Sequence, residues 1–138
     1  MAMQELELVE ALAGQGIRVT RQRLALGELL FKGGNRHVTV EQLHQEASDL
    51  GISVSLATVY NTLNLFVDAG LVRELRLSAV GACFDTNTDP HLHISTDSGK
   101  LYDAPLQIRD GAIILPDLPE GHSLADVDVF LQIRKDAG

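Results

Sequence analysis

The chain has 138 residues, 45% of them hydrophobic and 4% aromatic, which allows one medium domain or two small ones with an aliphatic core. Its net charge of −8 excludes a simple polycation, and its single cysteine, Cys83, excludes an internal disulfide and a four-cysteine zinc site. No apolar run approaches the roughly 20 residues of a membrane span, and the acidic start MAMQELELVE is unlike a signal peptide, so we expect a cytoplasmic protein.

Four helices are predicted in the first half of the chain. Thr20, Thr39 and Ser55 each stand before a run with helical periodicity, where they would act as N-caps. Gln42, three residues after Thr39, completes a capping box. Glycines follow the runs and mark their ends. The predicted helices cover residues 6–13, 21–31, 40–50 and 56–69.

Short strands are predicted after the helices. LVRELRL (71–77) and GACFDT (81–86) form a hairpin pattern, and helix, turn, helix, hairpin is the order of a winged helix-turn-helix. HLHIST and KLYDA flank a three-residue loop, Asp97 to Gly99, with glycine at the left-handed position. LQIRDGAIILPDL predicts a second strand pair, and DVDVFLQIRK a last strand. We therefore expect an α+β protein whose small antiparallel sheet covers its open edges by dimerisation.

A DNA interface is the first functional hypothesis. The segment from Arg18 to Arg36 contains five basic residues and one acid, so it is locally +4 in an acidic chain. On the fourth helix, Thr58, Asn61 and Asn64 form a small polar face with Tyr60 at its edge, a composition suited to base edges. The same patterns also fit helix faces that only meet water.

A metal site is the second hypothesis. His91 and His93 are two apart on a strand and share one face. If the hairpin loop is 97–99, Asp103 lies opposite His93, and Asp85 can fold back from upstream. Two imidazoles with two carboxylates suit Fe(II), Mn(II) or Zn(II). The alternative is a solvated polar sheet face.

Several segments together resemble the ferric uptake regulator (Fur) superfamily, and within it the iron response regulator (Irr) and the peroxide sensor PerR. These are RVTRQR (18–23), HVTVEQL (37–43), ISVSLATVYNTLNLFVDAGLVRE (52–74), FDTN, HLH and GKLYD. The resemblance implies a winged-helix DNA-binding domain at 1–84 and a dimerisation and metal-sensing domain at 85–138. On spacing alone His37 is a loop histidine; the resemblance adds it to Asp85, His91, His93 and Asp103 as a fifth ligand.

The resemblance implies a metal-responsive transcriptional regulator, a repressor of iron or metal homeostasis genes, with one Fe(II) or Mn(II) per subunit that Zn(II) can replace. Its partners would be a second copy and an A·T-rich palindromic operator in double-stranded DNA, with no membrane. The residues expected at DNA are Arg18, Thr20, Arg21, Arg23, Ser55, Ala57, Thr58, Tyr60 and Asn61.

The chain departs from the family pattern in three places. The two CxxC pairs of the family's structural zinc site are missing, so we expect no structural zinc. A second metal site of some relatives keeps only Asp110 and His122, because Pro90 and Leu92 occupy its other positions. The Cys-Pro haem motif of many Irr proteins is absent, which leaves the HLH stretch as an option for haem.

Two other functions fit parts of the sequence. A PerR-like repressor would sense peroxide through the same five ligands. A small cupin-like metalloenzyme also opens its site with HxH on a strand, but it needs strands on both sides and a distal histidine. Because the first eighty residues are predicted helical, we expect a regulator and not an enzyme.

Overall fold

The computed structural model describes residues 4–77, 81–127, 133, 135 and 136. Four helices and a small sheet come first, and two hairpin ribbons follow. The elements are α1 Glu5–Gly14, α2 Arg21–Phe31, β1 His37–Val38, α3 Val40–Asp49, α4 Leu56–Asp68, β2 Arg73–Leu77, β3 Gly81–Asp85, β4 His91–Ser95, β5 Leu101–Pro105, β6 Gln107–Arg109 and β7 Ala112–Ile114. No helix in the described ranges combines the length and apolarity needed to cross a bilayer.

The three predicted N-caps are confirmed. The hydroxyls of Thr20 and Ser55 each accept the backbone N–H three residues on, at 3.2 and 3.0 Å. At α3 the capping box is reciprocal: the Thr39 hydroxyl accepts from the Gln42 N–H at 3.1 Å, and the Gln42 side chain accepts from the Thr39 N–H at 2.8 Å. These bonds satisfy N–H groups that have no partner inside a helix, and so set where each helix begins.

The core lies among the four helices and one face of the first sheet. Leu8 of α1 packs closely on α2 at Gly27, where an added Cβ would stand 2.3 Å from the Leu8 Cδ2 atom. The Leu8 side chain therefore contacts the backbone of α2 at this position. The largest fully buried apolar side chains are Phe66, Phe84, Leu8, Leu12, Leu26, Leu30, Leu43, Leu63, Val38, Val59 and Val72. Burial of this set anchors all four helices to the sheet.

The first sheet has the strand order β1-β3-β2 and is antiparallel throughout. The predicted β2–β3 hairpin is present, and residues 78–80 between its strands lie outside the described part. The interpretation of His37 as a loop residue is wrong, because His37 pairs with Asp85 across β1 and β3. A two-residue strand shows no alternation in sequence, so periodicity misses it. Asp85 therefore ends a strand and does not fold back from a loop.

The described residues of the second half form two separate two-stranded ribbons, where the sequence predicted one small sheet. The β4–β5 register is the predicted one, with His93 opposite Asp103 and Gly99 at φ 84° in the loop. The β6–β7 ribbon turns at Asp110 and Gly111, both at positive φ. Most of the last predicted strand, 126–135, lies outside the described residues.

Candidate metal centre and nucleic-acid interface

Two potential ligands come from the first sheet. His37 and Asp85 are direct partners across β1 and β3, which brings their side chains within contact of one another. Asp85 is completely buried. Its Oδ1 atom accepts the Asn87 N–H at 2.9 Å, which leaves Oδ2 facing the imidazoles. The first sheet thus presents one imidazole and one oriented carboxylate oxygen.

Three more potential ligands come from the β4–β5 hairpin. His91 and His93 lie on one face of β4, and Asp103 stands opposite His93 on β5. The Nε2 atoms of His37, His91 and His93 lie 3.2, 2.7 and 3.0 Å from Asp85 Oδ2. They lie 3.0, 3.4 and 3.7 Å from Asp103 Oδ1. The four residues expected from spacing and the fifth, His37, expected from the family resemblance therefore meet, each with one ligand atom within 4.8 Å of the others.

Hydrogen bonding leaves two imidazole nitrogens without a suitable partner. His91 Nδ1 must donate to the Asp89 carbonyl at 2.5 Å. In the neutral ring Nε2 then carries a lone pair, yet it stands 2.7 Å from a carboxylate oxygen. His37 Nε2 is buried and has no hydrogen-bond partner in the described residues, because the nearby carboxylate oxygens do not lie in a bonding direction. A cation among these atoms would satisfy the lone pairs and both carboxylates at once.

The separations fit a single ion. Ligands held at about 2.1 Å and at right angles to each other stand about 3.0 Å apart. The six nitrogen-to-oxygen distances run from 2.7 to 3.7 Å and bracket that value. Three imidazole nitrogens and two carboxylate oxygens form a donor set for Fe(II), Mn(II) or Zn(II). Within the described part of the chain, no other group of three or more potential ligands comes together.

Burial alone would raise the pKa of Asp85. Hydrogen bonds from His93 and the Asn87 N–H, the charge of His37 and a hydrogen bond from His91 together outweigh that effect and bring the pKa below its ordinary value. Asp85 is therefore a carboxylate ready to bind a cation. Burial, followed by the charges of Asp85 and Asp103, raises the pKa of the Cys83 thiol. Cys83 is thus a buried neutral side chain of β3 and not a member of the cluster.

Asp110 and His122, the residues kept from the second metal site of some relatives, do not join a cluster of potential ligands. Asp110 occupies the β6–β7 turn at φ 53°. The His122 ring contacts the Glu120 carbonyl at 3.1 Å, and both side chains are exposed. Neither belongs to a group of potential ligands among the described residues.

The residues expected at DNA divide between two surfaces. A cleft of about 260 Å³ separates the start of α2 from α4 and is lined by Thr20, Gln22, Arg23, Thr58, Asn61, Thr62 and Leu65. An open groove of about 650 Å³ on the other side of α4 contains Ala57 and Tyr60 and faces the β2–β3 hairpin. Tyr60 is 48% exposed there. Of the remaining residues, Arg18 and Arg21 are exposed at or just before the N-terminus of α2, the end of the helix that lines the cleft.

Part of this polar surface also supports the helices. The hydroxyls of Thr20 and Ser55 are engaged as N-caps. Arg23 donates to the Arg18 carbonyl at 2.5 Å, which fixes the turn before α2. Sequence reasoning missed Gln22, which lines the cleft and donates to the Ser53 carbonyl at 3.3 Å. Its place next to the predicted Arg21 and Arg23 was the available signal.

Comparison with known proteins identifies the family. The sequence pattern of the ferric uptake regulator family matches residues 14–107. The peroxide-responsive repressor PerR of Staphylococcus epidermidis is 36% identical over 98 residues, which cover 70% of this chain and 65% of that protein. The chain thus spans slightly less than two thirds of the length of this curated relative. The expected superfamily resemblance is confirmed: the chain belongs to the ferric uptake regulator family.

Solved structures agree with this assignment. The ferric uptake regulator of Vibrio cholerae has a TM-score of 0.60 and 33% identity, over 69% of this chain and 74% of that one. The ferric uptake regulator from Pseudomonas aeruginosa with manganese has a TM-score of 0.63 and 30% identity, over 74% and 75%. The predicted α+β fold with an N-terminal winged helix and a C-terminal β half is confirmed. The closer likeness to the iron response regulator stays a prediction.

Proposed function

We propose that this chain is a metal-responsive, DNA-binding transcriptional regulator that acts as a repressor of iron or metal homeostasis genes. The observation that carries the proposal is the meeting of His37 and Asp85 from the first sheet with His91, His93 and Asp103 from the β4–β5 hairpin. Membership of the ferric uptake regulator family supports it. We take the DNA-binding unit to be residues 1–84 and the sensing and dimerisation unit 85–138, with Asp85 at their junction.

The proposed ligands act by restraining the junction between the two units. His37 is three residues before α3, and Asp85 ends the β2–β3 hairpin, so both are continuous with elements that flank α4. The other three side chains hold the β4–β5 ribbon to that sheet. A bound divalent ion would supply two positive charges, which offset the charges of both carboxylates. It would also form a coordination bond to each of the five side chains. Fe(II) and Mn(II) suit the mixed set, and Zn(II) can replace them. Metal then favours the orientation in which all five side chains meet.

The DNA contact is proposed at the start of α2 and along α4. Arg18 and Arg21 can approach phosphates, while Thr58 and Asn61 in the cleft and Tyr60 beyond it can reach base edges. Two copies would present two such surfaces to an A·T-rich palindrome. The β6–β7 ribbon supports a homodimer, since Ile108 and its strand partner Ile113 are 64% and 39% exposed.

A peroxide-sensing repressor is a second candidate for the same site. The curated relatives that match this chain include peroxide-responsive repressors of Staphylococcus epidermidis and Staphylococcus aureus. Five protein ligands leave one position of an octahedron open to a small molecule. Mass spectrometry after peroxide treatment of the Fe(II)-loaded protein tests this candidate. One added oxygen on His37 or His91 supports this candidate. Unchanged masses of both histidines at a peroxide dose that abolishes DNA binding contradict it.

Other candidates receive less support. Haem at the HLH stretch would compete with the two carboxylates for the same imidazoles, and it can be included in the titrations. A cupin-like enzyme requires a strand-rich chain on both sides of its HxH, whereas most of the described chain before this one lies in α1–α4. The regulator accounts for the helices and the ligand cluster together.

The proposal is tested by measuring DNA affinity with and without metal. A duplex is first selected from a random pool with Mn(II) present, and its affinity is then measured by fluorescence anisotropy without oxygen. We expect Mn(II) to raise the affinity about 5- to 150-fold, the usual range of allosteric coupling. Fe(II), Zn(II) and haem are compared in parallel.

Variants of two histidines complete the test. His93→Ala should lose the Mn(II) effect but remain folded, whereas His122→Ala, at an exposed histidine outside the cluster, should keep it. No selected duplex, or one bound equally with and without each metal, contradicts the proposal.

A further inference from the structure

A bidentate ion pair ties the segment that carries His37 to the far part of α3. Arg36 donates from Nη1 to Glu46 Oε1 at 2.8 Å and from Nη2 to Glu46 Oε2 at 2.5 Å. Both side chains are largely covered, at 29% and 34% exposure. The hydrogen bonds to Glu46 raise the pKa of Arg36, and those from Arg36 lower the pKa of Glu46, so both residues carry full charge. Two parallel hydrogen bonds between a guanidinium and a carboxylate make a stronger and more directional ion pair than a single contact.

The backbone of Arg36 is held from the opposite side by Thr86. The Arg36 N–H donates to the Thr86 hydroxyl at 2.8 Å, and the Thr86 N–H donates to the Arg36 carbonyl at 3.1 Å. Because Arg36 precedes His37 and Thr86 follows Asp85, these bonds extend the pairing of the two proposed ligands by one residue. His37 and Asp85 are therefore fixed to one another before any ion arrives.

Helix α3 is attached to this ligand segment at two points. Its N-cap, Thr39, follows β1 directly, and Glu46 lies seven residues or about 10 Å further along the helix at 1.5 Å per residue. A single attachment would let α3 pivot about its N-terminus when β1 shifts. With the second attachment, β1 and α3 must move together, and α3 packs against both α2 and α4.

We propose that the Arg36–Glu46 pair transmits metal occupancy from His37 to α3, and through α3 to the helices that contact DNA. This inference rests on the proposed function and adds two positioning residues that bind neither metal nor DNA themselves. Cutting the pair leaves all five ligands in place, so metal still binds, but its effect on α3 becomes weaker. The energy of a partly exposed ion pair and the usual effect of coupling mutations overlap at a change of about 2- to 5-fold.

The experiment is a double-mutant cycle on the whole 138-residue chain. Arg36→Gln, Glu46→Gln and the double variant are compared with Asp49→Asn, which removes a negative charge from an exposed position of the same helix. For each, Mn(II) affinity is measured by calorimetry without DNA, and DNA affinity by anisotropy with and without Mn(II). Circular dichroism melts confirm that each variant is folded.

We expect the Mn(II)-dependent gain in DNA affinity to fall about 2- to 5-fold in both single variants and no further in the double variant. Non-additivity of this size identifies two residues that act as one unit. Mn(II) affinity without DNA should change by less than about twofold, Asp49→Asn should match the parent, and the charge swap R36E/E46R should restore part of the gain.

Other results overturn it in distinguishable ways. If the parent protein shows no Mn(II)-dependent gain, the proposed function fails and the cycle has no effect to measure. If the parent shows the gain and all variants keep it, only the transmission role fails. If Arg36→Gln weakens DNA binding equally with and without Mn(II) and flattens its salt dependence, Arg36 is a phosphate contact instead.

Discussion

Replacing His93 with Ala removes one of the five proposed ligands. The His93 Nε2 atom lies 3.0 Å from Asp85 Oδ2 and 3.7 Å from Asp103 Oδ1, with 16% of its side chain exposed. The other four side chains keep their elements and their register. The variant should therefore fold, because no core residue changes, but hold metal with one imidazole fewer.

The size of the effect follows from binding linkage. Losing even an outer-sphere partner of a metal lowers affinity about 10- to 100-fold, so we take 100-fold for a ligand. At a Mn(II) concentration 100 times the parent's Kd, bound metal stabilises the parent by about 2.7 kcal/mol, and the variant by only about 0.4 kcal/mol. For a 138-residue chain, 1 kcal/mol shifts Tm by about 3–4 °C. The metal-induced rise in Tm should thus fall from about 9 °C to about 1.5 °C.

Thermal melts followed by circular dichroism, each variant with and without Mn(II), measure this rise directly. Each variant serves as its own reference, because removing His93 also takes a hydrogen-bond partner from buried Asp85 and lowers metal-free stability. His122→Ala is the matched control and should keep the parent's rise. A His93→Ala protein whose Tm still rises by about 9 °C would refute the assignment of His93 as a ligand.

Three further outcomes are expected. Leu63→Ala, at a fully buried position of α4, should lower the free energy of unfolding in urea by about 2–5 kcal/mol; a loss below 1 kcal/mol would mean that α4 is not anchored as described. Gly99→Ala, at φ 84°, should lower the free energy of unfolding by about 1–2 kcal/mol. Gly14→Ala, where an added Cβ meets nothing and φ is not positive, should not lower it, so equal losses would contradict the left-handed backbone assigned to Gly99. Arg21→Gln should weaken binding to all duplexes alike and reduce the salt slope by about 0.9, whereas Lys32→Gln at the opposite end of α2 should leave that slope unchanged.

Much of the fold follows from local sequence signals. Thr20, Thr39 and Ser55 each cap the helix predicted for them, because a hydroxyl before a periodic run has a backbone N–H to satisfy. The β4–β5 register follows from Gly99, since a three-residue loop fixes which residues face each other. Strand β1 gives no such signal, because two residues paired with a strand almost fifty positions away leave no pattern in sequence.

In the candidate site, too, some residues follow from local sequence signals and others only from the three-dimensional structure or the family resemblance. Local geometry placed Asp103 opposite His93, and the spacing of His91 and His93 put both on one face. The role of His37 came only from family resemblance, and its strand pairing with Asp85 became visible only in three dimensions. The contact of Arg36 with Glu46 joins a loop end to a helix ten residues away, and neither residue type nor spacing distinguishes it from ordinary surface charges.

The first sheet and the β4–β5 ribbon share no backbone ladder among the described residues. They are joined by side chains, two from the sheet and three from the ribbon, within 4.8 Å of one another. Without a cation, only side-chain hydrogen bonds such as that between His93 and Asp85 join the sheet to the ribbon in the described part of the chain, so each can open with a free energy close to its own. With a cation, opening either piece disrupts the ligand set of the other, so both must unfold in a single cooperative step. The ion would then determine how many cooperative units the molecule contains, and not only how stable they are.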